Sequence, residues 1–255
     1  MPIAHRQSPV AILKILGTEF VTSAASGGRV DGIPADGLAQ VAFAGRSNVG
    51  KSTLLNALAR TKLARTSAAP GKTRLANIYR VALDGGPGGP GRWSVYFVDL
   101  PGYGYARGGG DAAAELAAVA AAYFLSRSPT PVARRLSAAA AQPDDTDALL
   151  EQRATAANAQ NRTVLHLVDA RHPGLASDTQ AARWFDSIGV ERFVVATKID
   201  KLSRSERDKN LKEIGRVAGR APLPVSAASG EGLDELWRVI ASLARARENP
   251  DTARR

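Results

Sequence analysis

The octet Gly45-Arg46-Ser47-Asn48-Val49-Gly50-Lys51-Ser52 constrains what this chain can fold into more than any other stretch. It fits the pattern G-x-x-x-x-G-K-[ST], in which a glycine turn wraps backbone N–H groups around phosphates and opens a helix whose N-terminus favours anions. Gly45 and Gly50 let the chain curl where a Cβ would clash. Lys51 supplies a point charge to the β- and γ-oxygens, and Ser52 offers a hydroxyl to Mg²⁺. The same pattern also arises as a glycine turn with an incidental lysine, so context decides. Here the apolar run Ala39 to Ala44 precedes it, and Leu54, Leu55 and Leu58 follow at helical spacing. A strand feeding the loop and a helix leaving it are therefore predicted.

Two further motifs follow in order. Asp99-Leu100-Pro101-Gly102 comes after the β-rich run Trp93 to Val98. Asp99 is expected to bind Mg²⁺ through water, and Gly102 to offer its N–H to a γ-phosphate, making the loop sensitive to hydrolysis. Between this motif and the octet lies Gly71-Lys72-Thr73-Arg74-Leu75. Only its order in the chain raises Thr73 above an ordinary loop threonine, as the switch threonine that completes the metal shell. Thr197-Lys198-Ile199-Asp200 then closes the strand Phe193 to Ala196. Asp200 can accept from guanine N1–H and the 2-amino group, which adenine lacks, and Lys198 can lay its aliphatic stem over the base. Thr197 stands where Asn is commoner, which alters one side-chain amide contact. Val225-Ser226-Ala227 can present a backbone N–H to the guanine carbonyl. Together the motifs predict a GTPase, with Lys51, Thr73 and Asn48 as the residues closest to catalysis.

Strands and helices alternate along the rest. Asn77 to Leu83 and Trp93 to Val98 are separated by a Gly/Pro-rich spacer, residues 84–91, which reads as a long hairpin loop. Val164 to Val168, Phe193 to Ala196 and Leu223 to Val225 read as strands. Thr179 to Ser187, Ser205 to Ala218 and Leu233 to Arg247 read as helices. This rhythm predicts an α/β fold of the P-loop NTPase class, a mostly parallel sheet flanked by helices. Residues 39–247 form the domain in this reading. Residues 1–38 read as an N-terminal extension, 128–161 as a peripheral Ala- and Pro-rich insertion, and 248–255 as a fraying tail.

Composition narrows the remaining classes. The chain has 255 residues, enough for one α/β domain with a sizeable core. It has no cysteine, which excludes disulfides, thiolate zinc sites and cysteine nucleophiles. Its three histidines, His5, His166 and His172, lack metal-ligand spacing and read as structural or solvent-exposed. No apolar run approaches the roughly 20 residues of a membrane span, and no signal-peptide pattern opens the chain, so a cytoplasmic location is the expectation. The net charge of +10 attracts polyanions. Charge alone does not choose between RNA, DNA and an anionic membrane, and it is equally open to a solubility bias.

These motifs, with Phe20-Val21-Thr22-Ser23-Ala24-Ala25, Pro70-Gly71-Lys72-Thr73, Gly102-Tyr103-Gly104-Tyr105-Ala106 and Asp169-Ala170-Arg171-His172-Pro173, resemble the EngB (YihA/YsxC) family of bacterial GTPases. The resemblance runs from about Phe20 to Leu243 and fails at the insertion and the Gly/Pro hairpin; Thr197 matches the family's usual form. It implies a monomeric Ras-like domain binding GTP and GDP with Mg²⁺. It further implies a role in assembly of the large ribosomal subunit on its rRNA precursor, and one in cell division and septation. Lys62, Arg65, Lys72 and Arg74, near the switches, are candidates for an RNA-facing surface.

Tyr103 stands where Ras-like enzymes commonly place a water-orienting Gln, which predicts slow intrinsic hydrolysis. Asn48 admits two readings. One is a ligand that helps hold K⁺ beside the phosphates, and the other is a residue that merely stabilises the loop. Tyr103 and Tyr105 are open to stacking on a base or to packing on their own domain. The mixed-sign run Arg204 to Lys212 reads as a solvated helix face. Three alternatives to the slow GTPase timer remain: a nucleotide-dependent interaction protein with negligible hydrolysis, a septation factor acting on division proteins that only the resemblance implies, and a metabolic P-loop kinase. Asp200 and Lys198 argue against the kinase.

Overall fold

The computed structural model describes residues 13–25, 33–64, 75–103, 118–124 and 161–248. Seven strands form one sheet: β1 (Lys14–Ala25), β2 (Gln40–Gly45), β3 (Leu75–Asp84), β4 (Arg92–Asp99), β5 (Arg162–Asp169), β6 (Glu191–Thr197) and β7 (Leu223–Val225). Their order is β1-β3-β4-β2-β5-β6-β7. The β4-β2-β5-β6-β7 half is parallel, whereas β3 runs antiparallel to both of its neighbours, β1 and β4.

The helices are α1 (Lys51–Ala59), residues 118–124 (α2), α3 (Ala176–Ser187), α4 (Arg204–Ala218) and α5 (Leu233–Glu248). Successive side chains on a strand point to opposite faces, and the core divides accordingly. Val41 and Phe43 of β2 face α1 and α5, meeting Leu54, Leu58, Trp237 and Ile240. Ala42 and Ala44 face the other side, with Tyr123 and Phe124 of α2 and Phe185 of α3. Both faces of the parallel half are covered, as such sheets require, and β5 is buried at every position. Short, small-residue β2 thus delivers its C-terminal glycine to the centre of the sheet's upper edge.

Between β3 and β4 the Gly/Pro spacer closes a hairpin through a 3₁₀ turn at Gly86–Gly88, with the Gly85 N–H donated to Gly91 O at 3.0 Å. One expectation changes. Residues 1–38 are not merely an extension ahead of the domain, because Lys14–Ala25 pairs along the full length of β3 as the edge strand. Register breaks at Ile15/Gly17 and Phe20/Thr22 leave Leu16 and Val21 out of the pairing. Each break shifts the two-residue alternation that sequence reading depends on. The insertion up to residue 160, the tail beyond Glu248, and Arg65, Gly71, Lys72, Thr73, Arg74, Tyr105 and His5 lie outside the described residues.

Candidate functional site

The glycine loop leaves β2 through Gly45, where a Cβ would lie 2.8 Å from Val49 Cγ1 and 2.9 Å from Leu167 O. Such an approach admits no side chain. Asn48 and Gly50 take left-handed backbone, φ 64 and φ 104. Gly meets that requirement freely, and Asn is among the few other residues that tolerate it. This is a conformational reason for Asn48 independent of any cation. Gly50 caps α1 without a side-chain hydrogen bond. The first-turn N–H groups of Lys51, Ser52 and Thr53 thus have no intrahelical partner and point out of a helix N-terminus.

Lys51 and Asp99 meet in a salt bridge between the start of α1 and the end of β4, both largely buried. Asp99 begins the loop through Leu100, Pro101 and Gly102, which lies against the glycine loop. A side chain at Gly102 would crowd the glycine loop, since its Cβ would sit 3.0 Å from Ser47 N. Ser47 donates its N–H to Tyr103 O at 2.9 Å, and Tyr103 donates its own to Gly45 O at 3.3 Å. The two loops are therefore zipped by a one-residue parallel bridge, Arg46 to Tyr103.

On the other side of the glycine loop stands the β6 motif. The Thr197 hydroxyl lies 2.7 Å from Val49 O and 3.2 Å from Val168 O. It anchors the loop by a side chain shorter than the commoner Asn. Lys198, in left-handed backbone, donates from Nζ to Asn48 O and to Asp169 Oδ2. Its ammonium thus braces the loop while its stem runs along the cleft. Asp169 also accepts from the Arg171 guanidinium and backbone N–H. Burial pushes its carboxyl up, but the hydrogen bonds from Arg171 and Lys198 outweigh that and hold it well below the usual carboxylate range.

An open cleft of about 210 Å³ lies between these loops, lined by Gly50, Thr53, Lys198, Asp200, Val225 and Ala227 among others. Asp200 Oδ1 accepts the Ser226 hydroxyl at 2.7 Å, and that hydrogen bond lowers its carboxyl below the ordinary value. Oδ2 meets the exposed Lys201 ammonium at 3.3 Å, and the lone pairs these two contacts leave can accept from a ligand. Ser226 differs from expectation, because its backbone N–H is donated to Glu231 O at 2.9 Å. Of the pair Ser226-Ala227, only Ala227 keeps an N–H that can face the cleft.

Most predicted site residues are brought together, but not all by side chain. Val49, Leu100, Ile199 and Val225 turn theirs into the core and contribute backbone only. Arg46 points away from the cleft, its Nε donating to Asp178 Oδ2 at 3.2 Å. Leu75 opens β3. Tyr103 is buried, its hydroxyl 2.7 Å from His166 Nε2 and 3.0 Å from Asp178 Oδ1, so it packs on its own domain and does not present a ring for stacking. Burial, followed by the neighbouring Asp178, raises its phenol well above the usual value. His166 and Asp178 carry no motif, and only their distant pairing in the fold reveals them.

A doubly covered α/β sheet, a glycine loop opening a helix at its C-terminal edge and these flanking loops define a P-loop GTPase. A family model described as 50S ribosome-binding GTPase matches residues 40–198. A probable GTP-binding protein EngB of Solibacter usitatus is 37% identical over 233 residues, covering 91% of this chain and 98% of that one. Another, from Anaeromyxobacter sp., is 36% identical over 245 residues, covering 94% and 96%. In fold the chain is also similar to a bacterial selenocysteine-specific elongation factor EF-Sec, 15% identical with a TM-score of 0.52 over 82% of this chain and 29% of that one. The chain belongs to the EngB family of GTP-binding proteins and is a GTPase. Among the described residues, no helix is long and apolar enough to cross a membrane.

Proposed function

We propose that this GTPase is a timer for assembly of the large ribosomal subunit, docking on the particle or its rRNA precursor with GTP bound and leaving after hydrolysis. The observation that carries the reading is the match to a family described as 50S ribosome-binding. The +10 charge agrees with an RNA partner.

In this reading Asp200 selects guanine through the lone pairs that Ser226 and Lys201 leave, and Ala227 donates to the guanine carbonyl. Lys51 and the N–H groups of the glycine loop and α1 hold the phosphates. The described residues contain no group of three His, Cys, Asp or Glu able to hold a metal alone. Ser52 and Asp99 instead supply oxygen donors suited to Mg²⁺, which keeps waters and takes the rest of its shell from phosphates. Ser52, Thr73 and Asp99 would hold the ion, which, when bound, offsets phosphate charge. Asn48 is proposed to favour K⁺ beside the phosphates, and equal hydrolysis rates in K⁺ and Na⁺ buffers would discard that role. With Tyr103 buried, no Gln-like side chain follows Gly102, and slow intrinsic hydrolysis by a cytoplasmic monomer is the corresponding expectation.

The test is co-sedimentation with isolated 50S particles, with a non-hydrolysable GTP analogue or GDP bound, across a salt series. Pelleting with the analogue, weakened by GDP and by salt, supports the reading. Equal or absent pelleting in both states overturns it and favours an interaction protein acting elsewhere, such as at division sites.

A further inference from the structure

We infer that Asp178 is a positioning residue of the GTPase reaction, tying Arg46 of the glycine loop and Tyr103 of the loop after Asp99 into one buried network that holds Gly102 against the nucleotide. The inference rests on the GTPase activity and not on the ribosomal reading.

Asp178 lies in the first turn of α3 and is buried. An acidic residue there ordinarily serves its own helix, by accepting first-turn N–H groups or opposing the helix dipole. Here both carboxylate oxygens are used elsewhere. Oδ2 accepts from Arg46 Nε, 132 residues earlier, and Oδ1 from the Tyr103 hydroxyl, 75 residues earlier. The third member, His166 of β5, is kept neutral mainly by burial, its value lowered to about 3. A phenol has one proton, and with that proton on Asp178 the His166 Nε2–H must donate to the Tyr103 oxygen. The chain of donors thus runs His166 to Tyr103 to Asp178, where Arg46 meets it from the opposite side.

The main chain of the same residues carries the consequence. Tyr103 is bonded through both its N–H and its carbonyl to the glycine loop, and the adjacent Gly102 lies in contact with Ser47. In the GTPase reading Gly102 is the residue that would offer its N–H to a γ-phosphate. A network fixing Tyr103 at both backbone and side chain therefore fixes the distance between Gly102 and the phosphates. GDP has no γ-phosphate and makes no use of that N–H, so the network's effect is confined to the GTP reaction. Buried networks of this kind act as a unit, and removing one bond leaves its partner unsatisfied in a low-dielectric site.

The experiment compares wild type with Tyr103→Phe, Asp178→Asn and the double variant in the full chain. It reads kcat and KM for GTP, affinity for a fluorescent GDP analogue, and the unfolding midpoint. A misplacement of about 1 Å can cost about 100-fold in rate, so kcat is expected to fall by about tenfold to 100-fold in each single variant. KM and GDP affinity are expected to stay within about twofold, and the double variant to be no slower than the slower single one. If kcat of Tyr103→Phe stays within twofold of wild type, the inference is wrong. It is equally wrong if kcat and GDP affinity fall by the same factor, since that is what a merely structural role produces. Tyr103→Phe keeps the ring and its packing, so it decides the matter even where Asp178→Asn does not fold.

Discussion

At the scale of single residues, the loops of the site are held by side chains bonded to the protein's own backbone. Thr197 is the clearest. Its hydroxyl ties β6 to the glycine loop, and Thr197→Val keeps the shape while removing the donor. The carbonyls of Val49 and Val168 then lose a buried partner, costing about 1–3 kcal/mol. Urea unfolding is expected to report that loss together with weaker GDP binding, and Thr197→Ser is expected to recover most of both. His166 makes a second prediction. Burial, then the Arg192 guanidinium, depress its value to about 3, with Asp186 opposing. The unfolded chain takes up a proton near 6.5 while the folded one does not. The unfolded state therefore binds more protons between those values, and stability falls as pH drops through the window. His166→Gln is expected to flatten the slope of unfolding free energy between about pH 7 and 5. An unchanged slope would assign the acid sensitivity to other groups.

Among the elements, α5 buries Leu236, Trp237, Ile240, Ala241, Leu243 and Ala244 against the sheet. Trp237 stacks edge-on against Trp93 at 6.2 Å between ring centroids and lies 5.7 Å from Phe97, joining the last helix to the hairpin strand β4. Trp237→Ala is expected to cost about 3–5 kcal/mol, the range for a large buried aromatic side chain, measured by denaturant unfolding. These elements were legible because their patterns are local. Leu54, Leu55 and Leu58 repeat at helical spacing, β5 carries Val164, Leu165, Leu167 and Val168 around a single His166, and the Gly/Pro spacer admits only a turn. The nucleotide loops were equally legible, since glycines at fixed offsets report a backbone path. Strand β1 was not, because its two bulges put Leu16 and Val21 out of phase with their neighbours. Nor was the bond from Ser226 N–H to Glu231 O. The Arg46–Asp178–Tyr103–His166 network was hidden for a different reason. Its members come from four separate elements, and no spacing in a linear chain encodes a meeting across the sheet.

Across the whole molecule, the sheet separates two tasks. The loops that form the site leave the C-terminal ends of β2, β4, β5, β6 and β7, as ligand sites of open α/β sheets do. Strand β1 lies at the far edge, beyond β3, and three of the exposed large apolar residues, Leu16, Phe20 and Val21, are on it. Its bulges interrupt the free edge, a device that discourages pairing with another chain. Removing residues 1–25 would strip β3 of a ten-position register and bare a regular, bulge-free edge beside the core residues Val81 and Leu83. The truncated chain is expected to unfold at lower urea and to aggregate at concentrations where the full chain stays in solution. Its GDP affinity, measured below the onset of unfolding, is expected to remain within about threefold, because β1 is separated from Asp99 by β3, whose Asn77 pairs with both Ser23 and Asp99. A large fall in GDP affinity without a fall in stability would mean that β1 reaches the site through β3, by way of Asn77 and Asp99, and would make the edge strand part of the switch.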